Sequence, residues 1–123
     1  MPWLWLLPLL GAAWFGLNFA IRRGLTAARV LETAEPAGLP WREVTLPTAN
    51  GKQLFAWFIS ADQPGPALVV MHGWGGNAEM MLPLAAPLHA AGYALLLLDA
   101  RCHGRSDDDT FASLPRFAED IEA

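Results

Sequence analysis

The chain has 123 residues, which is enough for one small domain with a tail but not for two domains. Its formal net charge of −4 is uneven, because residues 1–52 carry five basic and three acidic groups whereas residues 53–123 carry three and nine. No stretch forms a basic nucleic-acid surface, so we expect no nucleic-acid partner. The single cysteine, Cys102, excludes an internal disulfide and gives no metal-type cysteine spacing, and we expect no metal or cofactor.

Residues 1–21 form an uncharged, apolar segment that ends directly before two arginines. A helix of about 20 residues spans roughly 30 Å, the thickness of a bilayer core, and tryptophans and arginines at its two ends suit the interfaces. The segment predicts a single-pass membrane anchor; a cleaved signal peptide and an apolar segment packed on the domain are the alternatives. The positive-inside tendency then places the rest of the chain in the cytoplasm, on the strength of Arg22, Arg23 and Arg29.

Residues 22–40 read as a linker between this segment and the domain. Leu25 to Leu31 are expected to form two helical turns along the membrane surface, and the prolines and glycine of residues 35–40 mark a domain boundary. Residues 41–46 and 53–60 alternate as two strands around Asn50-Gly51, which is a strong signal for a two-residue hairpin turn.

Residues 67–71 are an unbroken apolar run, which predicts a strand buried on both faces. A glycine-rich turn follows, and Asn77 is expected to cap a helix over residues 78–91 that starts in stages or is kinked by its prolines. Residues 93–98 are a second buried strand. Strand, helix and strand in this order imply a right-handed parallel crossover in an α/β sheet. A loop over residues 99–107 and a helix over residues 114–123 complete the chain.

Two motifs carry a family resemblance: HGWGGN at residues 72–77 and DARCHGRSD at residues 99–107. Together they resemble the N-terminal half of an α/β-hydrolase, most nearly the lipase, esterase and serine-aminopeptidase-like branch, over residues 41–123. The resemblance implies a small-molecule acyl substrate, with Trp74 supplying an oxyanion-hole N–H and its indole lining the pocket mouth. It also implies that the turn lies beside the bound substrate and that its histidine holds the backbone in place. The residues of this binding turn are His72, Gly73, Gly75 and Gly76. The alternative is that this turn has no binding role and is only a compact connection between a strand and a helix.

Other reactive residues of the second motif have structural interpretations. Ser106 lies seven residues beyond Asp99, where the predicted strand ends, and is thus inside a loop rather than on a nucleophile elbow. Asp108 stands where G-x-S-x-G needs its last glycine. We therefore expect hydrogen bonds that brace this loop near the active-site edge, made by Asp99, Arg101, His103 and Ser106. Cys102 occupies a position where the family usually has glycine, which raises the question of the local backbone conformation.

No G-x-S-x-G occurs in the 123 residues, and no serine nucleophile, acid or histidine of a triad is assigned. The sequence is thus interpreted as the truncated N-terminal part of a membrane-anchored serine hydrolase of esters, thioesters or amides. A non-catalytic, membrane-tethered interaction module with a decayed hydrolase fold is the alternative from another class. A third hypothesis is a relative of dehalogenases or epoxide hydrolases that uses an aspartate nucleophile.

Overall fold

The computed structural model describes all residues from Met1 to Ala123. Four strands form one mixed sheet: β1 (Trp41–Pro47), β2 (Gln53–Ile59), β3 (Ala67–Met71) and β4 (Ala94–Leu98). Their order is β1-β2-β4-β3, with β1 antiparallel to β2, β2 antiparallel to β4, and β4 parallel to β3. The antiparallel hairpin and the parallel strand–helix–strand unit are therefore both present, and β3 lies at an edge of the sheet.

Three α-helices accompany the sheet: α1 (Leu6–Gly24), α2 (Leu82–Ala90) and α3 (Leu114–Glu122). A 3-10 turn over Ala78–Met81 precedes α2, so the predicted helix starts in stages. Pro83 sits in the first turn of α2, where its missing N–H has no helical partner to lose. The 3-10 turn therefore lets a proline-containing segment begin a helix without a kink at that residue.

Side chains alternate along the strands and fill both faces of the sheet. Phe55, Trp57 and Ile59 of β2 pack with the leucines of β4 and with residues of α2 on one face. Leu54 and Ala56 lie on the opposite face with Leu98. Burying a side chain of this size stabilises the fold by about 1.5–3 kcal/mol, so these two layers hold the loops at the carboxyl ends of β3 and β4.

Strand β3 is less buried than its apolar sequence predicts, because it has a neighbour on one side only. Val69 is 45% exposed, whereas Leu95 and Leu97 of the inner strand β4 are fully buried. The expectation of a strand covered on both faces thus holds for β4 and is wrong for β3 in this chain.

The hairpin loop is longer than the predicted two-residue turn. Pro47 pairs with Gln53, so five residues connect the strands, and Asn50 and Gly51 have φ angles of 60° and 69° within a 3-10 turn. Pro47 has no N–H with which to continue the ladder. Thr48 then leaves the sheet and donates its hydroxyl to Asp120 at 2.8 Å.

The connector is extended, and the predicted helical turns over residues 25–31 are wrong. Its polar groups find partners in the domain instead of in a helix: the Leu25 carbonyl accepts from Ala112 N–H at 3.1 Å, and Thr33 N–H donates to Glu79 at 2.9 Å. Asn77 contributes to this docking, because its side chain donates to the Val30 carbonyl at 3.0 Å rather than capping the helix. The connector therefore lies against the domain along most of its length.

The N-terminal helical segment, Pro2–Gly24, is long and apolar enough to cross a membrane, a property that signal sequences share. None of its residues is buried against residues 25–123.

Candidate functional site

The HGWGGN turn connects the end of β3 to the 3-10 turn that opens α2. Within it, the N–H groups of Gly75, Gly76 and Ala78 have acceptors in the chain. The N–H groups of Gly73 and Trp74 have none, and neither do those of His72 and Asn77 at the two ends of the motif. The turn requires glycine at two positions: Gly75 has a φ of 75°, and a Cβ on Gly76 would lie 2.9 Å from the Met80 sulfur and 3.1 Å from the Gly73 carbonyl. The glycines thus form a tight turn in which the adjacent N–H groups of Gly73 and Trp74 are free donors.

His72 is held in a single neutral tautomer. Its Nε2 accepts from Ala100 N–H at 3.0 Å, so its Nδ1 carries the proton and donates to the Gly73 carbonyl at 2.7 Å. Burial lowers the pKa of His72 from its usual 6.5, and the nearby His103 ring acts in the same direction. Both ring nitrogens are used within the fold, so His72 has no lone pair left for a proton-transfer role.

His103 joins the two motifs. Its Nε2 accepts from Gly75 N–H at 3.0 Å, and its Nδ1 bonds the Arg101 carbonyl at 3.0 Å. The side chain is completely buried. The DARCHGRSD loop therefore fixes the direction of a peptide unit next to Trp74, which leaves the Trp74 N–H as a neighbouring unpaired donor.

Ser106 is also fully engaged. Its hydroxyl donates to the Asp99 carbonyl at 2.6 Å and accepts from Phe55 N–H at 2.8 Å, and the residue is 4% exposed. The next residue, Asp107, exchanges two further hydrogen bonds with Gln53. The loop thus runs on beside β2, and the Ser106 hydroxyl faces the sheet.

Asp99 ties three parts of the site together. One carboxylate oxygen accepts from Ala78 N–H at 2.7 Å, and the other accepts from Arg105 N–H at 2.9 Å. The residue is completely buried. Because Ala78 begins the helical segment after the glycine turn, Asp99 sets the position of that turn relative to the second motif.

Arg101 is the centre of a buried ionic network. Its guanidinium, 1% exposed, pairs with Asp120 at 2.7 Å, with Glu119 at 2.6 Å and with Asp109 at 3.1 Å. A hydrogen bond from Asn50, with further N–H donors and the nearby arginines, lowers the pKa of Asp109 to about 2 although burial opposes the shift. The network attaches α3 to the loop.

The three consecutive aspartates diverge to separate partners. Asp107 bonds β2, Asp108 pairs with Arg29 of the connector, and Asp109 belongs to the Arg101 network. Cys102 adopts a φ of 68°, so the backbone keeps the left-handed conformation that glycine favours even though the side chain is cysteine.

Three residues of the site lie outside the two motifs. Phe117 of α3 stacks on the Trp74 indole with ring centroids 6.4 Å apart and packs edge-on against His103 at 5.2 Å. Arg29 donates to the carbonyls of the second motif, at 3.2 Å to His103 and 2.8 Å to Ser106. Glu32 lies against Asp99 and Arg105. The spacing of apolar residues along α3 could have predicted that Phe117 is buried. The sequence around Arg29 could not have predicted its contacts, because its partner His103 is more than 70 positions away.

The fold and the motifs have counterparts among known proteins, although no protein-family model matches the chain. An uncharacterized protein of Mycobacterium tuberculosis is 37% identical over 71 residues, which is 56% of this chain and 24% of that protein. A pimeloyl-[acyl-carrier protein] methyl ester esterase of Xanthomonas oryzae is 43% identical over 60 residues, which is 48% of this chain and 23% of the esterase. The chain thus spans about a quarter of the length of these relatives.

The fold matches a solved esterase of Pyrococcus furiosus with a TM-score of 0.71 at 21% identity, over 80% of this chain and 38% of the esterase. That likeness establishes the architecture, and the sequence similarity to the Xanthomonas esterase agrees with it. The chain therefore has an α/β-hydrolase-like fold, and over 60 residues its sequence is similar to that of an esterase.

Proposed function

We propose that the chain is the N-terminal part of a membrane-anchored serine hydrolase that cleaves carboxylic ester, thioester or amide bonds. The observation that carries this proposal is the pair of adjacent unpaired N–H groups at Gly73 and Trp74, which precede the engaged N–H groups of Gly75 and Gly76 in the same turn. A tetrahedral intermediate of acyl transfer places negative charge on the former carbonyl oxygen, and fixed backbone donors stabilise that charge without reorganising during the reaction.

In this proposal Trp74 N–H is one donor of the oxyanion hole. The serine nucleophile, the acid and the catalytic histidine come from parts of the protein that follow β4, as the relatives' greater length allows. Serine attack on the carbonyl carbon forms an acyl-enzyme and releases the alcohol, thiol or amine, and water then attacks the acyl-enzyme to release the acid. His72 and His103 hold the turn and take no proton from substrate, because their ring nitrogens are already bonded.

An apolar acyl group is the substrate portion that this surface suits best. Trp74 is 46% exposed, Met80 of the following turn is 55% exposed, and Leu114, one turn before Phe117 on α3, is 74% exposed. The Xanthomonas relative is an esterase of a methyl ester on an acyl chain, which supports placing esters first among the three bond types.

Membrane anchoring through Pro2–Gly24, with the domain in the cytoplasm, is part of the same proposal. The helix is apolar and unburied, and Arg22 and Arg23 follow its hydrophobic length. Arg29 supports this orientation less than the sequence implied, since its guanidinium is bound to the second motif rather than free for lipid headgroups.

Fluorophosphonate labelling of the native protein in membrane fractions tests this function. We expect the label on a serine in a G-x-S-x-G sequence outside residues 1–123, roughly 20–30 residues beyond Ala123. The same tryptic map is expected to contain the peptide that ends at Arg22, because the anchor is retained.

A label on Ser106 would contradict the loop geometry. Absence of label from the folded protein would favour the interaction module or an aspartate nucleophile over a serine hydrolase.

A further inference from the structure

The connector carries one deeply buried carboxyl group. The Glu32 side chain is 2% exposed, and its Oε2 accepts from the Arg105 side chain at 3.3 Å. Its Oε1 is buried and has no hydrogen-bond donor facing it. A buried carboxylate oxygen without a donor loses its hydration and gains nothing in return, whereas a protonated oxygen needs only an acceptor.

An acceptor is present, because the Glu32 carboxyl lies within hydrogen-bonding reach of Asp99. Both Asp99 oxygens already accept backbone N–H groups, from Ala78 and from Arg105. Both Asp99 oxygens are therefore already placed as acceptors, whereas Glu32 Oε1 has no donor facing it. Two adjacent ionised carboxylates in a buried site repel each other, so the geometry favours one proton between Glu32 and Asp99.

We propose that Glu32 is a positioning residue: its carboxyl group holds a proton that it donates to Asp99, and this hydrogen bond fastens the connector to the glycine turn. The proton sits on the otherwise unpaired Oε1. Asp99 in turn accepts a hydrogen bond from Ala78 N–H, directly after the turn that contains Trp74, so the position of Asp99 fixes the end of that turn. A catalytic role for the position of Trp74 rests on the proposed function. The proton on Glu32 and its hydrogen bond to Asp99 do not.

The charged groups on the neighbouring elements do not remove the need for a proton between Glu32 and Asp99. Arg105, from the second motif, is the cation nearest to Glu32, but it also pairs with Glu43 of β1 at 3.0 Å and is 39% exposed. His72, from the glycine turn, is neutral. The Glu79 carboxylate accepts hydrogen bonds from the backbone N–H and the hydroxyl of Thr33. Arg29, on the same connector, is committed to the second motif and to Asp108. The one cation that pairs with Glu32 is therefore partly exposed and shared with Glu43.

The pKa of Glu32 accordingly rises from its usual 4.5 to about 7, through burial first and the contact with Asp99 second; a hydrogen bond from its own backbone and the charge of Arg105 oppose the shift. A carboxyl group with a higher pKa in the docked state stabilises docking fully below pH 4.5, and this stabilisation is lost as the pH rises through about 7. The connector is therefore held tightly in mildly acidic solution and more loosely in alkaline solution.

Carboxyl-carbon NMR of the full chain in detergent micelles tests the proposal, with Glu32→Gln and Glu43→Gln as matched variants. We expect the Glu32 signal to titrate with a midpoint near 7. The exchange of the Ala78 amide, corrected for intrinsic rate, is expected to accelerate about tenfold across that transition. Glutamine at position 32 keeps a donor toward Asp99, so this variant is expected to protect the Ala78 amide equally at both pH values.

Glu43 touches the same arginine but is half-exposed, so Glu43→Gln is expected to keep the transition of the unaltered chain. A Glu32 midpoint below about 5 would overturn the proposal, since it would place the group in its ordinary range. Ala78 exchange with the same pH dependence in Glu32→Gln as in the unaltered chain would also overturn it. None of these measurements uses activity, so a failure of the proposed hydrolase function would appear separately, as a protein that is not labelled by fluorophosphonate.

Discussion

Replacing Gly104 by alanine is expected to destabilise the chain by about 4 kcal/mol or more. A Cβ at this position would lie 2.0 Å from one Asp99 carboxylate oxygen and 2.3 Å from its Cγ. Asp99 is completely buried and cannot move away without breaking its hydrogen bonds to Ala78 and Arg105. The φ of 48° adds the cost of a left-handed conformation for a residue with a side chain. Urea unfolding of the chain in detergent micelles, followed by circular dichroism, measures the change.

Gly51→Ala is the matched control for this substitution. Gly51 also has a positive φ, of 69°, but no atom lies within 4 Å of the position that an added Cβ would take there. We expect a loss of only about 1–2 kcal/mol at this residue, from backbone conformation alone. Equal losses for the two variants would contradict the close approach of Gly104 to Asp99.

Replacing Arg101 by methionine is expected to destabilise the chain by about 3–5 kcal/mol. The substitution keeps most of the side-chain length but leaves three carboxylates without their common cation, two of which, Asp120 and Asp109, are nearly inaccessible. The hydrogen bonds from Arg101 also attach α3, and with it Phe117, to the loop. The same unfolding measurement detects the loss, and α3 is expected to show the largest increase in amide exchange.

Two further variants separate charge from packing. Arg42→Met removes an exposed arginine that lies over the Phe58 ring at 5.1 Å, and about 0.5–1 kcal/mol is expected. Adding Asp120→Asn to Arg101→Met removes a buried unpaired charge, so we expect the double variant to regain part of the stability. A double variant less stable than Arg101→Met alone would contradict an electrostatic origin of the effect.

Much of the sheet was predictable because its signals are local. The unbroken apolar run over residues 93–98 predicts a buried inner strand, and Ala94–Leu98 is one. Positive φ angles at Asn50 and Gly51 match the preference of that dipeptide, although Pro47 lengthens the loop. The exposure of Val69 was not predictable from its own segment, because burial depends on which strand lies beside it.

The connector was mispredicted for the opposite reason. Its helix-compatible residues are extended because Arg29 and Glu32 find partners in the second motif, 73–77 positions later. Such pairings have no periodic signature in a single sequence. Asn77 is a second example: it occupies the predicted N-cap position, but its side chain donates a hydrogen bond to the Val30 carbonyl instead of capping the helix. Local pattern therefore locates the two motifs, while long-range contacts decide how they are held.

The most direct test of the central claim compares Trp74→Pro with Trp74→Ala in the native protein, by ester hydrolysis. Proline deletes the backbone N–H, whereas alanine removes the indole and keeps that donor. We expect kcat to fall about 10²–10³-fold for Trp74→Pro, as for the loss of one oxyanion donor. Trp74→Ala is expected to act mainly on KM, through the lost apolar surface. Equal kcat values for the two variants, with both folded by circular dichroism, would contradict the role of the Trp74 N–H in catalysis.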